Sequence, residues 1–184
     1  MRWRPLAAGC LLAMTASTLP AQSDMTLAEA ARWLERDGTD LAVSSSDETA
    51  TANVRRIDLT AKATLSLHEC RLTIVVTDNS GVSGTRTTMQ VPLTEVDVGG
   101  VRGVSRPDGY HDFIYIPGQY FVTIPARAPD TYPFLTITSR GEFRSYLATI
   151  PVKDRNAGAA IAEVLRRAAQ LCGGPPPNEN SRPD

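Results

Sequence analysis

The sequence predicts an α+β domain, in which a strongly bent antiparallel sheet or partly open barrel of six to seven strands is capped by a C-terminal helix. Three observations predict this class. Apolar residues recur at every second position through the middle of the chain, which is typical of strands with one buried face. Short, turn-rich segments separate these stretches and favour antiparallel hairpins over long parallel crossovers. The last apolar stretch has a helical period instead.

The region before the sheet, residues 24–38, is predicted to be a helix. Leu27 and Leu34 lie on one face at helical spacing, together with the small alanines between them. Asp24 supplies an acceptor side chain at the start, and Gly38 is typical of a helix end.

Residues 39–56 are expected to form a polar linker that leads into a sheet-and-helix domain over residues 57–174. The linker contains the run SSSDETATAN, which has no large apolar side chain. Beyond it, alternating or β-branched stretches predict the strands. The clearest of them are residues 70–76, 87–93, 113–116, 119–124, 134–138 and 146–152.

The C-terminal part of the chain predicts one amphipathic helix over 157–171. Asp154 to Asn156 can cap the start of this helix, and glycines and prolines after residue 172 end it. Residues 175–184 are expected to form a disordered tail, since Asn178 to Asp184 contain no apolar side chain. The apolar stripe of the helix consists of Ile161, Val164, Leu165, Ala168, Leu171 and Cys172.

Residues 1–23 have the pattern of a secretory signal peptide. Arg2 and Arg4 form a positive start, and Leu6–Met14 is an apolar run too short to cross a bilayer. The small, polar residues that follow permit cleavage after Ser23. We therefore expect export to the periplasm or the extracellular space.

An alternative is a bacterial lipoprotein, because Ala8-Gly9-Cys10 resembles the end of a lipobox. Only a short apolar stretch precedes Cys10, however, and more apolar residues follow it. We therefore expect Cys10 to belong to the apolar core of the signal peptide, without lipid anchoring.

The exported chain is expected to be mildly acidic. Removing 23 of the 184 residues leaves 161, with 17 basic against 20 acidic residues and a net charge of −3. This balance disfavours nucleic acid as a partner, and no transmembrane segment is expected in the mature chain. A protein, a lipid or a small molecule of unknown identity is the expected partner.

Two cysteines, Cys70 and Cys172, remain after removal of the signal peptide, and we expect them to form a disulfide. Both lie on apolar faces, one at a strand and the other at the end of the last helix. A bridge across 102 positions restricts the unfolded chain by about 4 to 5 kcal/mol in the chain-entropy model. The alternative is a pair of buried free thiols.

No set of residues has the spacing of a known catalytic, metal or cofactor site. The chain has only two histidines, His68 and His111, and no Cys-x-x-Cys or His-Glu-x-x-His motif. We therefore predict no catalytic residues, no metal and no cofactor. The alternative is a periplasmic enzyme of the hydrolase kind with a site near His111 and Asp112.

Aromatic residues and arginines concentrate between residues 102 and 146. Such a combination is typical of a surface that binds by stacking and charge, although aromatics are also common in ordinary strands. We therefore predict an exported, non-enzymatic binding or interaction domain. The predicted binding face consists of Arg106, Tyr110, His111, Tyr115, Tyr120 and Arg127.

The order of elements resembles that of a pleckstrin-homology-type domain over residues 57–173, in which a C-terminal helix closes a bent antiparallel sheet. Three short segments are similar to those of exported bacterial proteins of unknown function, namely Trp33-Leu34, Cys70-x-Leu72-x-Ile74 and Leu171-Cys172-Gly173-Gly174. Neither resemblance implies a catalytic residue. A lipocalin-like barrel is the rival fold, but it requires eight strands before its helix.

Overall fold

The structure is a computed structural model that describes residues 24–50, 55–79, 85–105 and 120–173. It confirms the predicted α+β class. The helices are α1 (Leu27–Trp33), α2 (Thr39–Leu41) and α3 (Arg155–Leu171). The strands are β1 (Val43–Ala50), β2 (Arg55–His68), β3 (Arg71–Asp78), β4 (Thr85–Pro92), β5 (Arg102–Ser105), β6 (Tyr120–Pro125), β7 (Phe134–Thr138), β8 (Gly141–Ser145) and β9 (Leu147–Val152).

The described strands form two antiparallel sheets. The large sheet has the order β1–β2–β3–β4–β7–β8, and the small sheet has the order β5–β6–β9. The chain leaves the large sheet after β4, returns for β7 and β8, and ends in the small sheet before α3. These strands do not close into a barrel, so the lipocalin-like rival is wrong. The antiparallel sheet with a C-terminal helix is confirmed, with nine strands in the described ranges instead of six or seven.

The large sheet buries one face, as the alternating pattern predicts. In the central strands, Leu65, Ile74 and Met89 lie in adjacent register and are all buried. Their neighbours along each strand, such as Thr64 and Ser66, are exposed. Side chains of a strand alternate between the two faces, so the core lies on one side of this sheet and a threonine-rich face lies on the other.

Helix α3 begins at Arg155, two residues before its predicted start, and Asp154, one of the three predicted capping residues, is its N-cap. The Asp154 carboxylate accepts a hydrogen bond from the Ala157 backbone N–H at 2.8 Å, which satisfies one of the free donors at the helix start. The central stripe residues Ile161 and Leu165 are buried against the core. Leu171 does not extend this stripe, because it is the last residue of the helix and is 39% exposed.

The helix packs closely on the small sheet at a pair of glycines. A Cβ atom placed on Gly103 of β5 would lie 3.0 Å from the carbonyl carbon of Gly158 in α3. A contact this short is tighter than nine in ten real Cβ contacts, so the neighbouring backbone would have to give by a few tenths of an ångström. Glycine at position 103 therefore sets how near α3 approaches β5.

The first helix differs from its predicted limits at both ends. Thr26, not Asp24, is the N-cap, and it forms a capping box with Glu29. The chain also remains helical beyond Trp33, through a π-helical segment at Leu34–Gly38 and then α2. Gly38 is buried inside this stretch, where a Cβ would lie 3.3 Å from the Leu65 side chain. Close packing on β2 explains this glycine better than a helix end does.

The expected linker over residues 39–56 is wrong in its secondary structure, because most of it is α2 and β1. Strand β1 pairs along its whole length with the long strand β2. A strand at a sheet edge gains backbone hydrogen bonds from one neighbour without needing large apolar side chains, so the composition of this segment did not indicate a strand. The predicted strand at 113–116, the signal peptide at 1–23 and the tail at 175–184 lie outside the described residues.

Candidate functional site

Cys70 and Cys172 form the predicted disulfide, with their Cα atoms 5.6 Å apart. Cys70 is not the first residue of a strand, as expected, but the second residue of the two-residue turn between β2 and β3. Both turn residues are left-handed, with φ of 45° at Glu69 and 61° at Cys70. This turn type normally takes Asn-Gly. The bond fastens the turn to the C-cap of α3, so its role here is structural.

The predicted binding face is only partly described. Arg106, Tyr110, His111 and Tyr115 lie outside the described residues, as does Asp112 of the alternative enzyme site. The two members of this face that the structure describes are Tyr120 and Arg127.

Tyr120 and Arg127 lie at opposite ends of one strand. Tyr120 is the first residue of β6, half-buried against the core, whereas Arg127 follows the end of β6. Seven residues of extended chain span roughly 23 Å. The Arg127 guanidinium also donates to the Thr94 carbonyl at 2.9 Å, so it holds a neighbouring loop. The structure does not bring these two residues together.

The exposed aromatic residues lie elsewhere. Four large hydrophobic side chains are exposed in the described part of the chain, and three of them lie in β8 or beside it: Tyr132 at 48%, Phe143 at 41% and Tyr146 at 48%. The rings of Tyr132 and Tyr146 meet edge to face, with their centroids 5.9 Å apart. We call β8 together with Tyr132 and Tyr146 the aromatic edge.

Phe143 is exposed for a topological reason. It pairs with Thr136 of β7, which is only 1% exposed, so both side chains point to the core side of the large sheet. Strand β8 is the last strand of that sheet. The core therefore covers Thr136 but ends before it covers the ring of Phe143.

Tyr132 has an uncommon backbone conformation. It caps the short 3-10 turn Pro129–Thr131 with φ of 46° and ψ of 57°, in the left-handed region. Residues other than glycine and asparagine rarely adopt this region, and the cost is about 1 to 2 kcal/mol. The conformation places an aromatic ring in solvent against Tyr146, and such strain is often found where a surface is used for recognition.

The backbone of β8 has free hydrogen-bonding groups. Thr138 and Gly141 close the two-residue hairpin loop between β7 and β8, so they exchange backbone hydrogen bonds. Every second residue after Gly141 does the same, which includes Phe143. The N–H and C=O groups of Glu142 and Arg144 therefore point away from β7, and no described strand pairs with them.

The side chains of Glu142 and Arg144 are both exposed on the solvent face of the sheet. Within the described ranges Glu142 has no ion-pair or hydrogen-bond partner, while Arg144 makes one long contact of 3.4 Å to the Pro133 carbonyl. Opposite charges two positions apart on one exposed edge are free to interact with another chain.

A second surface feature is a shallow groove of about 350 Å³ on the small sheet. Asp97 and Arg102 provide charge at its rim, and Thr123, Pro125 and Leu147 form part of its wall. The Asp97 carboxylate already accepts a hydrogen bond from Gly99 N–H at 3.1 Å. The groove is open, so it does not enclose a small molecule as a typical ligand pocket does.

Other kinds of site are not indicated in the described ranges. No three His, Cys, Asp or Glu side chains come close enough there to hold a metal ion. None of the helices described has the length and apolar character needed to cross a bilayer.

The fold and surface thus define a disulfide-bonded α+β domain with an exposed aromatic sheet edge. No protein-family model matches the chain, and no significant match was found among curated proteins or solved structures.

The sequence indicated the aromatic enrichment between residues 102 and 146 but not the edge itself. The signal for β8, GEFRS, contains one apolar residue, and no periodic pattern is visible in so short a segment. The edge emerges only from the topology, which places β8 last in its sheet.

Proposed function

We propose that the protein is an exported, disulfide-stabilised interaction domain that contacts another polypeptide through the aromatic edge. The observation that carries this proposal is the coincidence of three exposed aromatic rings with the edge strand β8, whose outer side pairs with no described strand. Aromatic side chains are enriched in protein contact surfaces, and an unpaired strand binds an added strand through its backbone.

A polypeptide is favoured over a lipid or a small molecule as the partner. The free N–H and C=O groups of Glu142 and Arg144 have the spacing of a strand, and an added strand matches that spacing. The alternating charges on these two residues oppose insertion among lipid chains.

Export is supported by two independent features. The signal-peptide pattern of residues 1–23 directs a chain out of the cytoplasm. The Cys70–Cys172 bond is of a kind that persists in oxidising compartments.

Site-specific photo-crosslinking tests the proposed surface. A photoreactive phenylalanine analogue is placed at Phe143 or at Tyr146 in the full chain, expressed in its native host and irradiated. The control position is Thr64, which is exposed on the solvent face of β2, with three strands between β2 and β8. We expect protein adducts from Phe143 and Tyr146 and none from Thr64. Absence of adducts at both aromatic positions, or equal yield at Thr64, would contradict the proposal.

A further inference from the structure

We infer that the polypeptide which pairs with β8 is a second copy of this chain, aligned antiparallel with Phe143 at the two-fold axis. This inference rests on the proposed function, because it names the partner of the same aromatic edge. A two-fold contact requires a surface that is complementary to itself. The sequence and register of β8 meet that requirement.

The charges of β8 are self-complementary in only one alignment. With Phe143 opposite Phe143 of the second copy, Glu142 lies opposite Arg144 of the second copy, and Arg144 lies opposite its Glu142. Both charged side chains are on the solvent face, so two cross-strand ion pairs form. Opposite charges at directly facing positions stabilise a sheet, and like charges destabilise it.

Other alignments place like charges together. A shift of the axis to Glu142 puts that residue opposite itself and Arg144 opposite Arg140 of the second copy. A shift to Arg144 puts that residue opposite itself. An in-register parallel alignment pairs every charge with its own kind. The axis at Phe143 is therefore favoured over its neighbours.

The backbone agrees with this alignment. Glu142 and Arg144 have their N–H and C=O groups directed away from β7, because Phe143 is the residue that bonds to Thr136. In the proposed pairing, each Glu142 exchanges two backbone hydrogen bonds with the opposing Arg144. Phe143 then forms a pair without hydrogen bonds, in which side chains approach most closely.

The aromatic rings gain contacts on both faces of the joined sheet. The two Phe143 rings, each 41% exposed in the single chain, lie side by side on the core side. On the solvent face Tyr146, one residue beyond β8, comes near Arg140 in the hairpin loop of the second copy, and both side chains are exposed. A guanidinium near an aromatic ring is favourable through a cation–π contact.

Sedimentation velocity with charge-reversal variants tests the inference. An edge contact of this kind is smaller than a standard interface, so we expect a dimer with a Kd on the order of tens of micromolar. E142R and R144E each place like charges opposite one another, and each is expected to raise Kd at least about tenfold.

Two experiments that restore opposite charges distinguish loss of the ion pairs from misfolding of the single variants. The double variant E142R/R144E exchanges the two charges and is expected to dimerise like the unmodified protein. An equimolar mixture of E142R and R144E is expected to form heterodimers, although each alone is monomeric. A monomeric unmodified protein at concentrations well above the expected Kd would overturn the inference, as would single variants that dimerise normally.

Identification of the photo-crosslinked adducts separates failure of this inference from failure of the proposed function. Adducts of twice the chain mass support the second copy. Adducts at Phe143 that contain only a different protein would overturn the second copy while the aromatic edge remains an interaction surface. Absence of any adduct would overturn both.

Discussion

Cys70 and Cys172 join the tip of the β2–β3 hairpin to the C-cap of α3, across a sequence separation of 102 residues. The hairpin belongs to the large sheet, whereas α3 packs against the small sheet and α1. The covalent bond therefore fastens the large sheet to the helix that covers the core. The two-residue turn places Cys70 in a left-handed conformation that its side chain disfavours.

Removal of this bond is expected to lower stability strongly. The variant C70A/C172A should lose on the order of 4 to 5 kcal/mol in the free energy of unfolding, as judged by urea titration. The variant C70G/C172A should recover about 1 kcal/mol of that loss, because glycine adopts the left-handed turn without steric cost. An unmodified protein whose urea midpoint does not change on reduction would contradict this prediction.

The approach of α3 to β5 predicts opposite outcomes for two glycines in contact. G103A directs a Cβ to 3.0 Å from the backbone of Gly158, so the helix must shift, and we expect a loss of about 1 to 3 kcal/mol. In G158A the new Cβ lies 3.4 Å from its nearest neighbours, an ordinary contact.

Alanine in place of Gly158 also favours the helix by about 1 kcal/mol, so this matched variant is expected to be neutral or slightly stabilising. Thermal unfolding of both proteins measures the difference. Equal effects of the two substitutions would show that the close glycine contact is absent.

The capping box of α1 predicts a pH effect. Hydrogen bonds from Thr26 hold the pKa of Glu29 below its ordinary value. The bond donated by the Thr26 backbone N–H has the largest effect, followed by the bond from its hydroxyl. The folded state therefore favours the ionised carboxylate. This contribution is present at neutral pH and is lost as the pH falls through the ordinary pKa and then through the lowered one.

We therefore expect E29A to be less stable than the unmodified protein at neutral pH, with the difference shrinking toward pH 3. The matched control is E35A, which removes an exposed carboxylate that caps no N–H group in the structure. Urea unfolding across this pH range measures both. A difference that stays constant with pH would rule out the proposed role of the carboxylate.

Export predicts a defined N-terminus. If cleavage follows Ser23, the exported protein begins at Asp24 and contains 161 of the 184 residues. Intact-mass measurement of the exported protein is expected to give that chain, lighter by two hydrogens for the disulfide. A mass increased by attached acyl chains, with Cys10 as the first residue, would instead show a lipoprotein.

The central elements of the fold were predictable because their apolar residues recur at a regular spacing and form one buried face. Leu72, Ile74 and Val76 alternate with less buried residues along β3, and all three are buried. In α3 the helical period and the Asp154 cap identify the element without tertiary information.

Three edge strands were not predictable for a related physical reason, unlike the edge strand β9, in which the buried residues Ala148, Ile150 and Val152 alternate. Within the described residues, β1, β5 and β8 each pair with only one neighbour. Their stability comes from backbone bonds and from the sheet they extend, not from an apolar face of their own. In β8 only Phe143 is apolar, and its exposure follows from the topology. The candidate site thus depends on which strand comes last, information that a local pattern does not contain.

Disulfide trapping at Phe143 tests the paired edge most directly. In the proposed alignment the two Phe143 Cα atoms are about 4.5 Å apart, within the range that a disulfide spans. The two Glu142 Cα atoms, by contrast, are offset by two residues and lie roughly 8 Å apart, too far for a bridge. We therefore expect mild oxidation to give covalent dimers of F143C and to leave E142C monomeric. Non-reducing gel electrophoresis separates the two forms, and mass mapping verifies that Cys70–Cys172 is intact. Monomeric F143C, or equal trapping of both variants, would contradict the account.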